Sequence, residues 1–210
     1  MRIIDLSLPI DSDMPGVRLS PAKRIATDGW NATTMELYSH CGTHMDAPCH
    51  FLPEGRHIDA QDLSVALGPA RVVNLTPTQP KQLLQVEDFA AVDDEVTPGC
   101  RLLLRTDWSK RYGSPEYRND LPRISKSLAD WLVQRQVALL GVEPPSVADV
   151  NNMDEVTEIH QILFRGNVLI VEGLTNLDQI SQDIVDFIAL PLKVVGGDGT
   201  PVRAVAIEQH

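Results

Sequence analysis

A chain of 210 residues, 43% hydrophobic and 22% charged, is long enough for one domain with a sizeable core and ordinary for a globular protein. A net charge of −11 disfavours nucleic acid and anionic lipid surfaces, and no apolar run nears the roughly 20 residues of a membrane span. Three cysteines with no CxxC pair, and an N-terminus lacking a signal-peptide pattern, point to reduced thiols in a cytoplasmic protein.

In chain order, RIIDLSLPI (2–10) alternates well enough for a strand that Pro9 helps to end. ATTMELYSH (32–40) is β-branched and aromatic and leads straight into a dense polar run. ARVVNL (70–75) reads as a buried strand, and PKQLLQVEDFAAV (80–92) as a helix with Leu83, Leu84, Phe89 and Val92 on its apolar side. CRLLLRTDW (100–108) is a predicted strand, followed by a loop over SPEYRNDLPRIS (114–125). A helix is predicted over 127–136, where Ser127 and Asp130 form a Ser-x-x-Asp capping signal. VALLGV (137–142) is a strand stopped by Pro144 and Pro145, and 153–166 a helix ended by Gly166. NVLIVEGL (167–174) is another buried strand. IVDFIALPLKVV (184–195) and PVRAVAIE (201–208) close the chain as strands around the turn GGDGT. Strands outnumber helices and several are apolar throughout, which predicts an α/β layered domain over residues 1–210.

The run HCGTHMDAPCHF (40–51) packs three histidines, an aspartate and two cysteines together. A helix would put His40 and His44 on one face but send Asp46 and His50 elsewhere, and Gly42, Thr43 and Pro48 disfavour it. In an extended chain these positions lie at even offsets. His40, His44 and Asp46 then share a face, and Pro48 bends the backbone before His50 returns. Imidazoles with a carboxylate suit Zn²⁺, Mn²⁺ or Fe²⁺, and three protein ligands leave open positions as catalytic sites do. Cys41 and Cys49, at odd offsets, should face away. The competing interpretation is a surface histidine patch, or buried histidines held by backbone carbonyls. Four ligand-type residues at even offsets favour a metal site.

Glu172 lies in an otherwise apolar strand, where a carboxylate needs a cation or donors unless it reaches solvent at the strand end. His160 shares a helical face with Val156 and Phe164 and points toward the core. Spacing alone makes it a hydrogen-bonded core histidine. Beside Glu172 and an incomplete metal shell it becomes a candidate ligand, and both residues could complete one site or bind a second ion bridged through Asp46. His57 is a solvated loop residue, His210 the chain end, and Glu143 fits a capping or turn role. GGDG (196–199) is a turn without the spacing of a phosphate loop, and no Ser–His–Asp arrangement is readable.

HCGTHMDAPCHF resembles the HxGTHxDxPxHF signature of the cyclase family of metal-dependent hydrolases, which includes bacterial kynurenine formamidases and isatin hydrolases. Further similar segments are DLSLPI (5–10), MPG (14–16), LLLRTDW (102–108), GVEPPSV (141–147), VLIVEGLTNLD (168–178) and LPLKVVGGDGTPVRAVAI (190–207). The resemblance implies a swivelling β/β/α-type fold with mixed sheets and few helices. It implies a divalent metal, Zn or Mn, as one or two ions held by His40, His44 and Asp46, with His50 as acid/base. Residues matching His160 and Glu172 complete the shell in di-zinc formamidases of the family. The implied reaction is hydrolysis of a C–N bond in a small amide, arylformamidase-like, or opening of a cyclic amide of the isatin type. Homodimers or homotetramers are implied, with active-site loops approaching across the subunit interface. Met14 stands where formamidases often carry an aromatic, leaving Trp30 or Trp108 as stacking surfaces, and Glu143 where a shorter Asp is common. A non-haem iron oxygenase could also use two histidines and a carboxylate, but it leaves His50, His160 and Glu172 unexplained. A non-catalytic metal-binding relative would not need all six residues.

Overall fold

Leu102 and Leu104 face one side of their strand and Leu103 the other, and this alternation, repeated in neighbouring strands, sets the layers. The computed structural model describes residues 1–209, so the chain-end His210 lies outside the described residues. Its first half contains β1 (Arg2–Asp5), β2 (Val17–Lys23), α1 (Ile25–Asp28), β3 (Ala32–Leu37), β4 (His44–Asp46), β5 (Leu67–Asn74) and β6 (Leu83–Leu84). Then come β7 (Arg101–Arg105), α2 (Pro115–Asn119), β8 (Arg123–Ile124), α3 (Lys126–Gln134) and β9 (Leu139–Val142). The last stretch holds α4 (Met153–Arg165), β10 (Leu169–Glu172), β11 (Ile184–Ile188), β12 (Gly199–Pro201) and β13 (Val205–Glu208).

Among the described residues a mixed nine-stranded sheet runs in the order β1-β13-β11-β5-β7-β9-β10-β4-β12. Its centre, β5-β7-β9-β10, is parallel, and both flanks are antiparallel. Parallel neighbours need crossovers, which α3 and α4 supply between β7, β9 and β10. Leu128 and Leu132 of α3, with Ile159, Leu163 and Phe164 of α4, pack on Leu102, Leu104, Leu140 and Ile170. On the other face Leu103, Leu139, Val171 and Met45 join Ile4, Phe187 and Ala206, so the antiparallel flank curls over the centre. The architecture is the expected mixed α/β one with few helices. β2 and β3 pair only with each other and form an arm whose side chains are mostly exposed.

Several local expectations need correction. Residues 80–92 form no α-helix: Leu83 and Leu84 pair with β8, and Val86–Phe89 is one 3-10 turn with Asp88 accepting from the Gln85 N–H. Pairing with β8 satisfies the backbone that a helix would otherwise have to satisfy internally. The loop expected over 114–125 contains α2, opened by Pro115 in its first turn, and β8. The cap of α3 is Ser125, whose Oγ accepts from Leu128 N–H at 3.1 Å, and Ser127 merely lies 2.9 Å from that hydroxyl. The strand expected over 184–195 stops at Ile188, and the one over 201–208 is split between β12 and β13.

Candidate metal centre

β4 is flanked by β10 and β12, and its period-2 alternation sorts its three side chains. Met45 enters the apolar core, while His44 and Asp46 turn to the opposite face. His44 stands directly opposite Glu172 in the antiparallel β4–β10 pair. The extended geometry expected across residues 40–46 holds only for these three. His40 precedes them in a turn, and Gly42 takes a left-handed φ of 62° before β4 begins. After β4, Pro48–His50 forms a 3-10 turn with Pro48 in its first positions, which brings His50 back toward His40.

Six sequence candidates therefore converge. His40 Nδ1 lies 2.7 Å from Asp46 Oδ1, and His44 Nε2 lies 3.4 Å from that oxygen and 3.3 Å from Glu172 Oε2. From α4, His160 Nε2 reaches Asp46 Oδ2 at 3.6 Å and Glu172 Oε1 at 3.5 Å. The His50 ring stacks on His40 with centroids 3.9 Å apart. The donor atoms of His40, Asp46 and His50 lie within 4.8 Å of one another, as do those of His44, Asp46 and Glu172. Asp46 belongs to both groups.

The tautomers follow from hydrogen bonds on the far side of two rings. His44 Nδ1 lies 2.9 Å from Gly42 O, and His160 Nδ1 lies 2.7 Å from Val156 O. A carbonyl only accepts, so each Nδ1 carries hydrogen, and in the neutral ring each Nε2 presents a lone pair to the carboxylates. Lone pairs facing anions need a cation or a proton between them. The 3.3–3.6 Å spacings between these Nε2 atoms and carboxylate oxygens exceed the about 2.7–2.9 Å of good charge-assisted bonds. They match the about 3.3–3.6 Å edge of a tetrahedron built on metal–ligand bonds of about 2.0–2.2 Å. The donor set thus fits a divalent cation.

The electrostatics agree. Burial alone would depress both imidazoles, yet Glu172 and Asp46 push His44 up to about 9. His160, likewise buried, is raised to about 10 by Asp46 and Glu172. Burial raises the carboxyls, but His160 and His40 hold Asp46 below its usual range, and His160 and His44 do the same for Glu172 against Asp46. His50 differs: burial lowers its pKa, and the neighbouring His40 and His160 add to that. Glu172 also accepts from Val147 N–H at 2.8 Å, so the GVEPPSV segment braces the acid. Thr43 Oγ1 donates to Gly173 O at 2.5 Å and accepts from Leu8 N–H, tying β4 to the end of β10. Gly173 has no room for a side chain, since a Cβ there would lie 2.5 Å from Gly42 O.

Asp198 is the residue that sequence reading missed. Its Oδ2 lies 3.3 Å from His40 Nε2 and 3.8 Å from His50 Nδ1. The GGDG turn is bonded through its backbone to the segment that follows β4: Ala47 N–H donates to Asp198 O and Ile58 N–H to Gly197 O. Gly199 is pressed against His40, where a Cβ would stand 2.6 Å from ring Cε1. Glycines flanking an acid beside a strand were the available signal.

The remaining candidates lie elsewhere. Cys41 is buried and the Cys49 thiol donates to Gly197 O, while His57 is exposed. Trp108 is sealed in a cluster with Leu8, Tyr117 and Leu121, its indole N–H donating to Tyr117 O, so it offers no stacking face. Glu143 is a buried acceptor that organises the turn after β7, in keeping with the turn role expected for it.

Comparison with known proteins finds relatives of this chain. The Cyclase family model matches residues 4–149. A kynurenine formamidase of Bacillus cereus is 32% identical over 210 aligned residues, spanning 96% of this chain and 95% of that protein. A kynurenine formamidase of Geobacillus thermodenitrificans is 37% identical over 175 residues, 83% of this chain and 78% of the relative. Isatin hydrolase A from Ralstonia solanacearum has the same fold, with a TM-score of 0.88 at 24% identity over 99% of this chain and 92% of that one.

Proposed function

The chain belongs to the Cyclase family, and on that premise we propose that it is a metal-dependent hydrolase cleaving the C–N bond of a small amide, foremost an N-formyl arylamine. Nearly full-length similarity to kynurenine formamidases supports the arylformamide. The observation that carries the reading is the convergence of histidines and two buried carboxylates from β4, α4 and β10 on one point, Asp46.

His40, His44, Asp46, His160 and Glu172 would hold zinc or manganese, with Asp46 shared if two ions bind. A bound divalent cation supplies Lewis-acid polarisation of the scissile carbonyl and a lowered pKa for water. His50 is the least buried of the six and, among the described residues, no hydrogen bond commits either ring nitrogen, so it is free to carry a proton to the leaving nitrogen. Such a role is worth about 10²–10⁴ in rate. The arm of β2 and β3 supports self-association: a two-stranded ribbon is marginal alone, and Trp30 and Met35 are 56% and 63% exposed. We assign that face to a second copy of the chain.

Replacement of His50 by Ala tests the chemistry. Bound metal should be retained while turnover falls about 10²–10⁴-fold. Loss of metal instead would make His50 a ligand. N-formylkynurenine, isatin and cyclic imides, offered to the wild-type enzyme under argon, should rank with the formamide first. A requirement for oxygen would sink the hydrolase reading in favour of an iron oxygenase.

A further inference from the structure

We propose that Asp198 is a positioning residue of the metal centre, the outer carboxylate that fixes His40 in the tautomer presenting Nδ1 to Asp46 and the ion. The inference rests on the reading of His40 as a ligand and adds a residue that neither the HxGTHxDxPxHF run nor the metal-ligand groupings contain.

Two independent features support it. His40 has a carboxylate at each ring nitrogen, Asp46 Oδ1 at 2.7 Å on Nδ1 and Asp198 Oδ2 at 3.3 Å on Nε2. Both partners are acceptors, so without a cation either nitrogen can carry the hydrogen; with Nδ1 committed to a cation the ring keeps its hydrogen on Nε2, and a carboxylate is the acceptor that holds such a ring in place. Second, the turn bearing Asp198 is built against the ligand segment. Its backbone accepts from Ala47 and Ile58, and Gly199 is small because the His40 ring occupies the space of a side chain.

The same oxygen is 3.8 Å from His50 Nδ1, too far for a hydrogen bond. Because His50 stacks on His40, holding one ring steadies the other. Asp198 remains half-exposed, so it acts from the rim of the site.

The test uses full-length protein and zinc affinity by chelator competition, a readout independent of turnover. Asp198→Ala should weaken zinc binding about 10–100-fold. Asp198→Asn keeps an acceptor without the charge and should fall between wild type and Asp198→Ala. In the cobalt-substituted protein the visible bands should shift in Asp198→Ala, since His40 is released from one orientation. Thermal unfolding of the metal-free protein should be the same for wild type and Asp198→Asn, which separates positioning from folding. Wild-type zinc affinity in Asp198→Ala overturns the proposal and leaves the hydrolase reading intact. Zinc affinity unchanged in His40→Ala removes His40 as a ligand and with it the premise of the proposal, while the groups brought together from β4, α4 and β10 still carry the hydrolase reading.

Discussion

Glu143 lies in GVEPPSV, beside the proposed centre yet outside it. One carboxylate oxygen accepts from Thr106 N–H at 2.7 Å, from Thr106 Oγ1 at 3.0 Å and from Trp108 N–H, and the other accepts from Ser109 Oγ at 2.8 Å. Burial pushes this carboxyl above its usual range even though Ser109 and Thr106 pull it down. A carboxyl raised on folding contributes stability fully below the unfolded value near 4.5 and loses it as pH rises through the folded value. Glu143→Gln removes that loss because an amide does not ionise, while its oxygen can still accept from the Thr106 and Trp108 N–H groups and its NH₂ can donate to Ser109. Denaturant midpoints measured from pH 5 to pH 8 should therefore move in the variant's favour relative to wild type as pH rises. Glu143→Leu should be destabilising throughout, since it strips the partners from two buried backbone N–H groups. The role was half legible: a glutamate between strand and prolines suggests a turn, but its donors come from the loop after β7, and no local pattern reports that distance.

At the scale of elements, α4 does two jobs with one amphipathic face. Leu163 packs the helix onto the sheet, and one turn earlier His160 enters the centre. Leu163→Ala should cost about 2–5 kcal/mol of unfolding free energy as a buried leucine truncation. Zinc affinity should drop with it, because the helix that aims His160 loses its anchor; calorimetry and chelator competition read the two effects separately. This helix was legible because its apolar spacing and Gly166 agree; the structure adds the Asn152 cap, whose side chain accepts from Glu155 N–H. The helix expected at 80–92 had spacing alone, and Leu83 and Leu84 found a strand partner at Arg123 and Ile124, far along the chain. Glu172 stood out because a charge in an apolar strand demands a partner, and His160 became plausible only beside it. Asp198 carried no such demand, since an acid in a glycine-rich turn is ordinary until the turn is seen against His40.

For the whole molecule, the arm of β2 and β3 is the part that the core leaves unsupported. Light scattering should find a dimer or larger closed assembly, and the paired change Trp30→Glu, Met35→Glu should shift it toward the monomer; a wild-type monomer at micromolar concentration would remove the assignment. The fold class was legible because strand-like segments outnumber helical ones, whereas the curl of the sheet depends on which distant strands pair. That pairing also orders events in time. The histidine-rich segment at 40–50 sits on the sheet only when β10 has formed on one side and β12 on the other. During synthesis the histidines emerge early and the strands that seat them emerge last. A cation held at this site could therefore be caged only once both late strands have joined the sheet, so a metal-bound state would belong to the folded chain alone.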